Sequence, residues 1–223
     1  MSYLEPQFII NEPIKTIFEL GSRDLNDAIK LREYYNANVY AFECNPDCLV
    51  ECYKKNVSRV KLIDKAISLT GGPVTFHPFD LTKYDNMGSS SMLLIDFSKR
   101  NKSDPDYNRE NPQKMITVDS TRLDTFMDSE NIQKIDLLCI DLQGYELEAL
   151  KSLGEHLRKV KYIITECSIE STYIGGATFG NLNNYLQSYN FKYKCSNLSG
   201  PALPNLNLKG FSEFDAMFVN QNV

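Results

Sequence analysis

Apolar residues come in short runs along this chain, each closed by a turn-forming residue and followed by a stretch of helical spacing. Lys15–Leu20 is the first run, with a β-branched start and a glycine stop, and predicts a strand. Ala28, Ile29, Leu31 and Tyr35 then recur at helical spacing, with Leu25 as a neighbouring apolar contact, until Asn36 and Asn38 break the pattern. Val39–Phe42 predicts the second strand. Asn45 and Pro46 suit the cap and first turn of a helix, whose apolar contacts are assigned to Leu49, Val50 and Tyr53. Val60–Ile63 predicts a third strand, and strand–helix units repeated in this way imply a parallel sheet in an α/β domain.

The second half repeats the pattern after an irregular interval. Gly71-Gly72-Pro73 reads as a turn, and Val74–Pro78 alternates like an added strand. Residues 80–115 are polar and broken by proline, and a loop of that length is read as cover over a site. Ile116–Val118 resumes strand character, and Ser120–Phe126 predicts a short capped helix. Ile135–Ile140 is the most apolar run, which predicts a central strand buried on both faces. It ends in Asp141-Leu-Gln-Gly-Tyr-Glu and enters a helix carrying Leu147, Leu150 and Leu153, stopped by Gly154. Val160–Thr165 ends at Glu166, Asn181–Tyr189 predicts a helix, and Phe191–Cys195 with Phe214–Val219 predicts a hairpin closing the sheet edge. Neither a repeat nor a linker divides the chain, so residues 1–223 are predicted to form a single domain, with 80–115 as its variable insertion.

Composition narrows the partners. A net charge of −5 gives no general attraction for phosphate backbones, which argues against nucleic acid. Apolar runs stay well short of the ~20 residues of a membrane span, and the N-terminal residues lack the regions of a signal peptide; no membrane association and a cytoplasmic location are the expectation. Cys44, Cys48 and Cys52 recur every fourth residue, but on a predicted helix that spacing fits packing better than a metal cluster.

Predicted strands end repeatedly in acid: Glu19, Glu43, Asp141 and Glu166, with Asp64 similarly placed at the third. Ligands of α/β sheets bind outside the carboxyl ends of the strands, so these acids describe one polar cleft. Glu43 stands about 20 residues beyond Gly21, the separation at which a carboxylate can accept from both hydroxyls of a ribose. The glycine turn, Gly21-Ser-Arg-Asp-Leu, lacks the further glycines that let a backbone cradle pyrophosphate. A cofactor with a ribose, a cation and no phosphate fits best, and S-adenosylmethionine is such a molecule.

The stretches Glu19-x-Gly21-Ser-Arg-Asp, Ala41-Phe-Glu-Cys-Asn-Pro46, Ile140-Asp-Leu-Gln-Gly-Tyr-Glu146 and the later Glu166 resemble the FkbM-type family of S-adenosylmethionine-dependent methyltransferases. Similarity extends from about Ile17 to Val219. It implies a Rossmann-like class I fold: a mostly parallel seven-stranded sheet with an antiparallel last strand and helices on both faces. The implied activity is O-methylation of a hydroxyl on a sugar, glycan or small glycosylated metabolite. By the same resemblance Glu19, Gly21 and Ser22 would line the methionine end, Glu43 and Cys44 the ribose, and Asp64 and Ala66 the adenine. Asp141 would stand beside the transferred methyl. Leu25 and Gln143 depart from the family, which usually has glycine and an acid there.

A sugar hydroxyl needs a base, for which Asp141 is the first choice and Glu166 the second. His77 is a lesser candidate, and His156 reads as surface. The same two acids could instead hold Mg²⁺, but the sequence supplies no clear third ligand, so the metal reading is not favoured. A catalytically inactive nucleoside-binding protein and an RNA methyltransferase are the alternatives. Acceptor identity and oligomeric state are not readable from the residues.

Overall fold

A computed structural model describes residues 3–82, 87–99, 111, 113–206 and 213–223. The polar segment 103–112, read above as cover, lies outside the described residues but for Asn111. Strand β1 (Thr16–Leu20) leads through a glycine turn into helix α1 (Asn26–Tyr35), and β2 (Asn38–Phe42) leads into α2 (Pro46–Cys52) and then β3 (Val60–Ile63). A small sheet follows, with β4 (Ala66–Ile67) and β5 (Gly72–Phe76) flanking β6 (Ile116–Thr121). Next come α3 (Leu123–Ser129), β7 (Ile135–Ile140), α4 (Glu146–Lys151), β8 (Val160–Ser168), α5 (Phe179–Ser188), β9 (Phe191–Ser196) and β10 (Glu213–Asn220).

The main sheet runs β3-β2-β1-β7-β8-β10-β9. Pairing is parallel from β3 to β8, whereas β10 runs antiparallel to both β8 and β9. This is the Rossmann-like architecture with a reversed last strand. The order reverses between β1 and β7, the crevice where such sheets bind ligands. Every residue of β7 is buried, Asp136 included, as its predominantly apolar run predicts.

Two cores sandwich the sheet. On one face α3, α4 and α5 bury Leu123, Met127, Leu150, Leu182 and Leu186 against Phe18, Leu138, Ile140 and Ile163. Phe126 makes edge contacts with Phe18 and Phe42, at centroid distances of 5.8 and 4.9 Å, and so ties α3 to the ends of β1 and β2. On the other face α1 and the N-terminal residues Tyr3, Phe8 and Ile10 cover Ile17, Val39, Leu137 and Ile164.

Local readings needed two corrections. The short helix begins at Leu123 and not at Ser120, because Ser120 and Thr121 are claimed by the β6 ladder. Helix α2 turns Cys48 and Cys52 inward, while Val50 and Tyr53 are exposed. The cysteines four residues apart form the apolar stripe of that helix, which is the packing role their spacing suggested. Among the described residues no helix is long and apolar enough to cross a membrane.

Candidate active site

Alternation along the strands delivers the acids to one place. Ile17, Leu137, Cys139, Tyr162, Ile164 and Met217 all point to the α1 side of the sheet. Continuing each strand by the period of two puts Glu19, Asp141, Glu166 and Asp215 on that same face. The ladder extends far enough for the alternation to hold. Asp141 N–H donates to Leu20 O at 3.0 Å, Glu43 N–H donates to Ile63 O at 3.1 Å, and Asp215 pairs across from Glu166.

A cleft of about 320 Å³ opens above these strand ends. Gly21, Glu43, Cys44, Ala66, Asp141 and Glu166 all line it, so six of the residues expected at the site are brought together. Glu19 and Ser22 do not line it; both are buried beneath, where the Ser22 hydroxyl donates to the Glu19 carboxylate. Asp64 is exposed outside the lining and accepts from the Tyr53 hydroxyl at 3.0 Å. Sequence reasoning missed Arg23, Lys65 and Glu213, and also the apolar wall of Phe42, Ile67 and Phe76 beside Glu43. Phe76 belongs to the small sheet and Glu213 starts the last strand. No spacing rule places them here.

Backbone accounting defines the β1 end of the cleft. Glu43 Oε1 accepts from Cys44 N–H (2.8 Å) and Asn45 N–H (2.7 Å), and Oε2 accepts from Arg23 N–H (2.7 Å). A carboxylate offers about four acceptor sites, so three are spent inside the protein and one remains, on Oε2. Three backbone donors on Glu43 thus leave one acceptor position open toward a ligand. In the glycine turn, Gly21 and Ser22 N–H both donate to Phe42 O at 3.0 Å, and Leu25 N–H donates to Ser22 O. A turn whose amides are committed in this way offers no phosphate cradle. Leu25, noted above as a departure from the pattern the chain resembles, keeps a left-handed φ of 64°. That conformation costs roughly 1–2 kcal/mol, offset by burial of its side chain against α1.

The β7 end is organised by Gln143 and Glu146. Glu146 Oε1 accepts from Leu142 N–H (2.9 Å) and Gly144 N–H (3.1 Å), closing the turn after β7. Gln143, at a φ of 53°, sends its amide Nε2 to Asp141 Oδ1 (2.8 Å) and to Glu166 Oε2 (2.9 Å). Its Oε1 accepts from the Tyr173 hydroxyl at 2.8 Å. Two carboxylates on one side and a hydroxyl on the other fix which way the amide faces. The residue that seemed to lack a role as an acid thus bridges both candidate bases.

Burial dominates the ionisation of this cluster. It pushes Glu19 up to about 8, and Glu43, Glu146 and Asp215 up to about 7 each. Glu166 rises to about 10, from burial and from the neighbouring Asp141, Glu146, Glu213 and Asp215. Burial raises Asp141 as well, against the hydrogen bond from Gln143. Acids raised in the folded state bind more protons there than in the unfolded chain, so their stabilisation is complete below the ordinary carboxylate range and lost as pH rises through their folded values. Asp124 and Asp136 are lowered, by Arg122 and by the Lys15 backbone amide respectively, but their losses fall at acid pH outside this window. We therefore expect the ligand-free protein to melt at least ~4 °C lower at pH 8 than at pH 5.5, corresponding to ~1–2 kcal/mol for a chain of this size. Calorimetric scans across that range check it; an equal or higher melting temperature at pH 8 would mean the acids are hydrated.

Among the described residues no group of three or more His, Cys, Asp or Glu side chains is arranged to hold a metal ion. His77 lies outside the cleft lining, its ring near Lys114 O, and His156 pairs with Asp128 at the surface.

Comparison with known proteins agrees with this geometry. The methyltransferase FkbM domain family matches residues 21–193. The chain is 28% identical over 191 residues to the 2-O-methyltransferase NoeI of Sinorhizobium fredii, spanning 81% of this chain and 74% of the relative. It is 24% identical over 133 residues to the hexuronic acid methyltransferase AglP of Haloferax volcanii, spanning 58% of this chain and 47% of the relative. The Methanococcus jannaschii fibrillarin pre-rRNA processing protein superposes with a TM-score of 0.50 at 13% identity, covering 95% of this chain and 70% of that one, a likeness of fold alone.

Proposed function

The chain belongs to the FkbM methyltransferase family, and from that premise we propose that it moves a methyl group from S-adenosylmethionine to a sugar hydroxyl, in a glycan or a small glycosylated metabolite. The sugar acceptor is supported by the names of the two relatives, a 2-O-methyltransferase and a hexuronic acid methyltransferase. The cofactor is supported by the cleft itself. The open acceptor site on Glu43 Oε2 suits a ribose hydroxyl, the wall of Phe42, Ile67 and Phe76 suits an adenine face, and the acids at the other end suit a cation. Committed amides in the glycine turn disfavour a nucleotide phosphate. When bound, S-adenosylmethionine supplies a methyl group on a sulfonium sulfur, ready for in-line displacement.

The residues of this chain then have three tasks. Glu43 holds the ribose and so sets the position of everything attached to it. Asp141 receives the proton of the acceptor hydroxyl. Glu166, pushed up by burial and by the neighbouring Asp141, favours its protonated form and spares Asp141 a second negative charge. Gln143 holds both carboxyl groups through one oxygen each, and so fixes the pair at the cleft.

The observation that carries the reading is the convergence of Gly21, Glu43 and Asp141 on one cleft at the reversal of strand order. Calorimetry with S-adenosylhomocysteine tests it, with NAD as the comparison. The protein binds the first and not the second. Glu43→Ala weakens binding by roughly 10- to 150-fold, the loss of a charge-assisted bond of ~1.5–3 kcal/mol. Binding of NAD in preference, or of neither ligand, would sink the assignment.

A further inference from the structure

Every acid in the cleft suits a cation, yet the amino-acid end of the proposed cofactor also carries a carboxylate. Something must meet that anion. Loop amides normally serve where a chain turns from strand to helix, but here the turn has little to offer. The N–H groups of Gly21, Ser22, Arg23 and Leu25 are bound to Phe42 O, Phe42 O, Glu43 Oε2 and Ser22 O. Of the amides between Gly21 and Leu25 only Asp24 remains, and a single amide is no cradle.

A side-chain cation is the strongest partner a carboxylate can find, and two described cations line the cleft: Arg23 and Lys65. Strand order separates them. Lys65 follows β3, on the far side of Glu43 from the crevice, beside Ala66 and Ile67. Arg23 follows β1, between the β2 strand that carries Glu43 and the β7 strand that carries Asp141. Its backbone is pinned by the 2.7 Å bond to Glu43 and by a φ of 51°. Its side chain is exposed, and its guanidinium makes no hydrogen bond or ion pair among the described residues. An arginine held by its backbone, with its head group uncommitted at the rim of an acidic cleft, is placed to take a carboxylate in a forked pair.

We infer that Arg23 binds the α-carboxylate of the cofactor, and so distinguishes ligands that carry the full amino acid from those that do not. The inference rests on the cofactor reading above and goes beyond it by naming the partner of the cofactor's one anionic group.

Calorimetry with two ligands tests it: S-adenosylhomocysteine, and its decarboxylated counterpart 5′-S-(3-aminopropyl)thioadenosine. For Arg23→Gln, affinity for the first falls about 10-fold while affinity for the second stays within about 2-fold. Arg23→Lys recovers part of the loss, and Lys65→Gln shows no selective effect. Equal weakening of both ligands would mean that Arg23 acts on the adenosine or on the turn, and would overturn the assignment. So would an unchanged affinity for S-adenosylhomocysteine, or a carboxylate-selective loss in Lys65→Gln instead. Wild-type protein that binds neither ligand would overturn the cofactor reading itself, a result separable from all of these.

Discussion

Asp141→Asn is expected to lower the methyl-transfer rate by ~10²- to 10⁴-fold, the usual contribution of a positioned base, while changing S-adenosylhomocysteine affinity by only a few-fold. Asparagine keeps the size of the side chain and an oxygen for the Gln143 amide, so the turn after β7 is preserved and only proton acceptance is lost. The assignment of the base to Asp141 over Glu166 follows from surroundings. Burial and the neighbouring Asp141, Glu146, Glu213 and Asp215 push Glu166 up. Asp141 is raised by burial against the Gln143 hydrogen bond, which favours its charged form, so it is taken as the member of the pair that ionises. A base must be deprotonated to act, so the wild-type rate climbs with pH through the raised Asp141 value and levels off above it. Single-turnover transfer to the acceptor that the wild type methylates, measured across pH, checks both statements. A rate in Asp141→Asn within about 10-fold of wild type, with the same pH profile, would move the base elsewhere.

The network around Asp141 shows where sequence reading succeeds and where it stops. Glu19, Glu43, Asp141 and Glu166 could be placed at one sheet edge because each ended a predicted strand and the strands were expected to run parallel. What an acid does after arriving there depends on neighbours that no period reports. Glu19 became a buried partner of Ser22, and Asp64 a surface partner of Tyr53. Tyr173 reaches Gln143 from a loop 30 positions along the chain, so the bridging amide could not be anticipated. The same holds for β10. Its apolar run predicted a strand beside β9 and the family resemblance implied its antiparallel sense, but its insertion between β8 and β9, which brings Glu213 to the cleft, is a matter of topology that no local pattern reports. Helix α2 failed for a simpler reason: Val50 and Tyr53 are apolar by composition, yet the inward stripe is set by Cys48 and Cys52.

Gly21→Ala is the substitution expected to do most harm to the fold and the site together. Gly21 has a φ of +85°, a conformation that costs an alanine ~1–2 kcal/mol. Worse, a β-carbon there would overlap the backbone carbonyl oxygen of Asp141, and a backbone atom cannot swing aside as a side chain can. Relief requires moving apart β1 and β7, the paired strands whose neighbours Leu20 and Ile140 are both fully buried. Together these give a loss of at least ~3 kcal/mol, a large share of the ~5–15 kcal/mol that holds a domain folded. Gly144→Ala provides the contrast: it shares the strain of a positive φ, +96°, but its added carbon only crowds Tyr173 side-chain atoms at 3.1 Å and overlaps no backbone atom. Urea titrations should show a much lower midpoint for Gly21→Ala than for Gly144→Ala, with cofactor affinity lost in the former even where it remains folded. A Gly21→Ala protein with wild-type midpoint and affinity would show that the β1 turn can be rerouted. The close approach of Gly21 to Asp141 would then not be what joins the ribose-binding half of the cleft to the half that takes the proton.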